Sequence, residues 1–84
     1  MTDFDPAKEA KNVEKHHISL ERWADLVVLA IVRDDRFTYG EARYRAYGLI
    51  DNLSYCLVFT VRDGAKRPIS LRRARAKEMK RYVT

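Results

Sequence analysis

The sequence predicts an α+β domain in which two N-terminal helices precede a four-stranded antiparallel sheet, closed by a C-terminal helix in the order α-α-β-β-β-β-α. Three observations carry this. Helix-start signals occur at Asp5-Pro6 and Ser19, runs rich in β-branched and aromatic residues alternate with turn signals from Val28 to Leu71, and the chain ends in a basic segment, Arg73 to Tyr82. A chain of 84 residues has room for one modest core, so a single domain over residues 1–84 is expected.

The first helix is expected from Pro6 to about His16, with Asp5 capping its amides and Pro6 at a position where no amide is needed. Ala7, Ala10 and Val13 form its expected inner stripe. Lys8, Asn12, Lys15 and His16 share another face. Ser19 reads as the cap of a second helix, with Ile18 and Trp23 as a hydrophobic staple and Trp23, Leu26 and Val27 filling the core.

Strands are expected at Val28 to Arg33, from Ala42 or Arg43 to Ile50, at Tyr55 to Arg62 and at about Arg67 to Leu71. A polar loop containing Phe37 and Tyr39 and closed by Gly40 joins the first two. In the second strand Tyr44, Ala46 and Gly48 face one way, while Arg43, Arg45, Tyr47 and Leu49 face the other. Asp51-Asn52 and Asp63-Gly64 are turn signals, and Pro68, unable to donate to a ladder, places the start of the fourth strand at an edge or a bulge. The helices are expected to pack on one face of this meander.

Charge is concentrated in one place. From Lys66 to Arg81 eight Lys or Arg stand against a single acid, Glu78, a balance of +7, while the rest of the chain balances at −2. A block of this kind favours encounter with phosphates or an acidic protein. Cys56, alone and within an apolar run, reads as a buried small residue and has no partner for a disulfide or a C-x-x-C site. No stretch approaches the ~20 apolar residues that span a bilayer, and no basic-then-apolar leader precedes the domain, so a cytoplasmic protein without membrane partners is expected.

The adjacent pair His16-His17 projects about 100° apart on a helix and suits no single metal ion, so neither a metal nor another cofactor is expected. Glycine-rich phosphate loops and nucleophile elbows are absent. Phosphate chemistry without metal is left. RNA cleavage by its own 2′-hydroxyl needs a base, an acid and cations for the charge that builds on phosphorus, and Arg offers a paired fork that keeps its proton. Arg43, Arg67, Arg72, Glu41, Tyr82, His16 and Lys8 are the side chains of suitable type.

Several pieces together resemble the BrnT-type toxins of bacterial toxin–antitoxin pairs. They are Phe4-Asp5-Pro6-Ala7-Lys8, Asn12, Lys15-His16 and Ile18-Ser19 at the start, and Asp35-Arg36, Gly40-Glu41-x-Arg43 and Gly48 in the middle. Arg67-x-Ile69-Ser70-x-Arg72-Arg73-Ala74, Glu78 and Tyr82 complete the set. The chain departs from the family pattern at His17, Leu20 and Leu71, and its link from second helix to first strand is shorter.

The resemblance implies a RelE-like fold, metal-independent ribonuclease activity that arrests growth, and neutralisation by a BrnA-type ribbon-helix-helix antitoxin that carries the pair to operator DNA. It makes Lys8, His16, Glu41, Arg43, Arg67, Arg72 and Tyr82 the catalytic candidates. Lys15, Arg73, Arg75, Lys77, Lys80 and Arg81 become candidates for holding RNA or antitoxin. The alternative is a non-catalytic basic subunit that pairs with an acidic antitoxin and helps to bind operator DNA.

Overall fold

The computed structural model describes residues 6–34 and 40–83. Its elements are α1 (Pro6–His16), a 3-10 helix (Leu20–Asp25), β1 (Val27–Arg33), β2 (Tyr44–Ile50), β3 (Leu53–Arg62), β4 (Ala65–Arg73) and α2 (Ala76–Tyr82). The sheet is an antiparallel meander in the order β1-β2-β3-β4. The Asp5 cap and the loop residues Phe37 and Tyr39 lie outside the described residues.

Both hairpin turns form where the side chains permit a left-handed backbone. Asp51 and Asn52 have φ of 51° and 65°, and Asp63 and Gly64 have 52° and 79°, the twist that suits two-residue hairpins. Pairing therefore resumes at once, at Ile50 with Leu53 and Arg62 with Ala65, and β3 and β4 begin two residues earlier than expected. At Pro68 both readings hold. β4 is an edge strand, and its register shifts where Ser70 faces Val58 and Pro68 faces Phe59, leaving Ile69 as the extra residue of a bulge.

Four expectations are corrected. The second helix is one short 3-10 segment, because the chain turns to extended geometry at Leu26 (ψ 121°) and enters β1 at Val27. It is held by Glu9, whose carboxylate accepts from the Ser19 hydroxyl and from the amides of Leu20 and Glu21. α2 begins at Ala76 instead of Arg73, since pairing of Tyr55 with Arg73 and the bond from Ala74 N to Ser54 O (2.9 Å) prolong β4.

Nor do the helices share one face. α1 and the 3-10 helix cover the side built from Leu20, Ala46, Ile50, Leu57, Phe59 and Leu71, whereas α2 covers the opposite side on Tyr47, Cys56 and Ala74. The alternation of Ala46 with Tyr47 and of Cys56 with Leu57 makes both faces apolar. Cys56 is fully buried, and burial pushes its thiol up.

The orientation of α1 is also reversed from the apolar-stripe reading. Ala7, Ala10 and Val13 face solvent, Val13 being 44% exposed, and the buried residue is Asn12. Its carboxamide donates to Leu71 O (2.9 Å) and Ile18 O (2.9 Å) and accepts from Leu71 N (2.8 Å). An edge strand presents backbone groups that demand partners, and satisfying them outweighs the small area of two alanines and a valine.

Gly48 has a different task. A Cβ there would overlap the Val27 carbonyl oxygen and stand 2.8 Å from its carbon, so the absence of a side chain lets β1 cross close to β2.

Candidate active site

The site grows from the junction of β4 and α2. Arg72 faces the α2 side of the sheet, opposite Cys56, and the turn at Ala74-Arg75 brings the first turn of α2 back over it. Glu78 then meets Arg72 in a two-pronged pair: both terminal guanidinium nitrogens lie 2.8 Å from its carboxylate oxygens. Glu78 also accepts from the Arg75 amide (3.1 Å) and the Tyr47 hydroxyl (2.9 Å). Arg45 donates to the Tyr47 hydroxyl at 2.8 Å and pairs with buried Asp34 at 3.7 Å.

The electrostatics follow. Beside Arg72, and with two further donors, the Glu78 carboxyl is held down to about 2, so it is a fixed anion and a weak base. Burial raises the Tyr47 phenol and keeps its proton for Glu78. His16, at the end of α1, is shifted the other way. Partial burial, then Lys15, Arg72 and His17, push the imidazole below 6.5, so it is neutral at neutral pH.

Lys15, His16, His17, Arg72, Arg73, Arg75 and Glu78 line one open cleft of about 540 Å³. Of the expected residues, His16, Arg72, Lys15, Arg73 and Arg75 thus come together. His17 ends α1 in the left-handed region (φ 59°), its amide bonded to Val13 O, which fixes the placing of His16 on the last helical position.

The remaining candidates lie elsewhere. Tyr82 stacks on Tyr47 with centroids 5.0 Å apart, with the guanidinium groups of Arg45 and Arg81 over its ring at 5.1 and 5.5 Å; it backs the network without lining the cleft. Arg67 is five residues before Arg72 on β4, about 16 Å along the strand. It pairs in register with Thr60, whose hydroxyl donates to Ala42 O, so Arg67, Arg43 and Glu41 belong to the far end of the sheet.

Glu41 there takes Arg62 in two bonds of 3.0 and 3.1 Å, which lowers its carboxyl; Arg43 and Lys8 add smaller effects. Lys8 lies between the two ends, in a groove that also holds Lys15 and His16. Lys77, Lys80 and Arg81 are exposed on α2, outside the cleft lining.

Reading the sequence for site residues missed Glu78, Tyr47 and Arg45. The available signal was Glu78 itself, the lone acid among eight basic residues. Among the described residues no three His, Cys, Asp or Glu side chains gather as ligands for a metal ion, and no helix is long and apolar enough to cross a membrane.

A small basic α+β protein whose open cleft is lined by arginines, a lysine and an imidazole carries side chains of the types that contact phosphate esters. The comparison with known families narrows this: the model of the ribonuclease toxin BrnT of type II toxin–antitoxin systems matches residues 4–78. The chain belongs to that family of ribonuclease toxins. Its membership implies an RNA target and an antitoxin partner. Comparison with curated proteins and with solved structures returns no match.

Proposed function

We propose that this chain is a metal-independent RNA endonuclease that cuts by attack of the substrate's own 2′-hydroxyl. The observation that carries it is the meeting of neutral His16 and the Arg72 guanidinium, held by Glu78, in one cleft with Lys15, Arg73 and Arg75. His16 takes the proton of the 2′-hydroxyl as its oxygen bonds to phosphorus, the bond to the 5′-oxygen breaks, and that oxygen takes a proton from water. Arg72 holds the charge on the phosphoryl oxygens, and Glu78 fixes the Arg72 plane. The products are a 2′,3′-cyclic phosphate and a 5′-hydroxyl.

On this reading Tyr82 acts through Tyr47 and Arg45, while Lys8, Arg43 and Arg67 serve the RNA further from the cut and Glu41 holds Arg62 in place at that end. The exposed basic residues of α2 are open to RNA or to the antitoxin. The protein works in the cytoplasm, has a RelE-like fold, and is neutralised by a BrnA-type ribbon-helix-helix partner that brings the pair to operator DNA. The test is incubation of purified protein with RNA in EDTA. Cyclic phosphate ends are expected, with at least a hundredfold loss in Arg72→Ala and His16→Ala. Intact RNA, or equal growth arrest by the parent and Arg72→Ala, refutes the reading.

One observation favours a second reading. Both terminal nitrogens of Arg72 are engaged by Glu78, as in a structural pair, so the cleft could serve only to hold an acidic antitoxin segment and support operator binding. Tight antitoxin binding by a chain that forms no RNA product would establish that alternative.

A further inference from the structure

α1 lies along the free side of β4, and a groove of about 330 Å³ runs between them. One wall is a row of lysines, Lys8, Lys11 and Lys15, at i, i+3 and i+7 and spread over roughly 10 Å of helix. The other is Ile69 with Ser70. Ile69 is the extra residue of the β4 bulge, and a bulge re-aims a side chain that regular alternation directs elsewhere. An aliphatic side chain and three lysines therefore line the same groove. Lys15 and His16 line both this groove and the active-site cleft, so the two are continuous.

The acids of α1 do not line this groove. Glu9 is spent on Ser19, Leu20 and Glu21, and Glu14 lies in an adjoining open hollow that shares Lys11 and Lys15 with the groove. The lining holds no carboxylate among the described residues.

We propose that the groove is a subsite for the nucleotides flanking the cut in single-stranded RNA, its lysines taking phosphates and Ile69 the face of an unpaired base. This rests on the reading of the adjoining cleft as an RNA-cleaving site. A duplex keeps its base faces stacked inside and offers Ile69 nothing, whereas a single strand can turn a base onto an apolar or aromatic surface. The lysine row covers more than one phosphate at the roughly 3.4 Å per nucleotide of a stacked strand. RNA longer than a dinucleotide should therefore gain affinity without gaining turnover.

The experiment measures binding of 2′-O-methyl oligonucleotides, which cannot react, from two to ten nucleotides long. Affinity is expected to rise with length in the parent. Lys11→Glu and Ile69→Ser should lose at least tenfold on the decamer and under twofold on the dinucleotide, and Lys11→Ala should lower the salt slope by about 0.7. Lys11 is exposed on α1, so Lys11→Glu keeps the test should Ile69→Ser fold poorly.

Unchanged decamer affinity in Lys11→Glu, equal binding of a decamer duplex, or displacement by a glutamate peptide of equal charge overturns the proposal. Cleavage assays judge the cleft separately. A parent that binds with these dependences and cuts nothing overturns the proposed activity alone. A parent that cuts dinucleotide and decamer with the same KM overturns the groove alone.

Discussion

Arg72 and Glu78 join the last strand to the last helix through two bonds of 2.8 Å, six residues apart in sequence and half-buried. Each group fixes the other: the carboxylate sets the plane of the guanidinium, and the guanidinium holds the carboxyl ionised. Glu78→Gln keeps the shape and removes the charge. It should cost about 1–3 kcal/mol in urea unfolding and lower the cleavage rate at least tenfold with little change in KM, because a loosened Arg72 still meets substrate but no longer in one orientation. A variant as stable and as fast as the parent would show that the pair positions nothing.

The same pair sets an acid limit. Glu78 titrates near 2 in the fold against an ordinary 4.5, chiefly through Arg72, so the folded protein binds fewer protons than the unfolded chain between those values. Its contribution is complete above about pH 5 and drains away as pH falls from 4.5 towards 2. Urea midpoints followed from pH 7 to pH 3 should fall more steeply in the parent than in Glu78→Gln. Parallel curves would mean that other carboxylates set the limit.

His16 is displaced in the opposite sense from a protonated partner, since burial and then Lys15, Arg72 and His17 favour its neutral form. Under the proposed chemistry kcat/KM rises with pH as the imidazolium loses its proton and levels off with a midpoint below 6.5. Lys15→Gln removes the second largest cause and should move that midpoint up, an effect NMR titration of His16 can follow without any turnover. A midpoint above 6.5 in the parent is incompatible with this account.

What the sequence made legible were features whose cause is local. Asp51-Asn52 and Asp63-Gly64 announce left-handed turns, Pro68 announces an edge with a bulge, and the charge block marks the junction where Arg72 stands. What it hid depends on partners distant in the chain. Asn12 looked like one member of a polar helix face, yet its bonds run to Leu71, 59 residues on, and they turn α1 inside out relative to its apolar stripe.

Glu78 likewise gains its meaning only when β4 and α2 fold back so that Tyr47 and Arg72 converge on it. The position of Arg67 had a related cause. Strand and helix residues that sit in one charged segment are carried to opposite ends of the sheet once β4 runs extended to Arg73.

Gly48 offers a test of the sheet alone. Gly48→Ala drives a methyl into the Val27 carbonyl, and the obstacle is backbone that cannot turn aside. A loss of about 1–3 kcal/mol is expected, with faster amide exchange in Val27–Arg33 than in β3. Exchange that quickens uniformly would show that β1 does not separate from the rest of the sheet.

Asn12 makes the sharpest prediction, because one side chain closes both open backbone groups of Leu71 and a carbonyl of the link to the 3-10 helix. Asn12→Ala leaves a buried donor and two acceptors unpaired, a loss of about 2–4 kcal/mol, far beyond the cost of removing a small polar residue from an exposed helix. Asn12→Asp should not rescue it: a carboxylate can accept from Leu71 N but repels the two carbonyl oxygens that the amide now serves. The loss should appear as a lower urea midpoint, and β4, its outer edge uncovered, should draw chains together at high concentration in light scattering. An Asn12→Ala protein that keeps its midpoint and stays monodisperse would mean that α1 is held by the lysine and histidine face instead, and that Asn12 is a passenger.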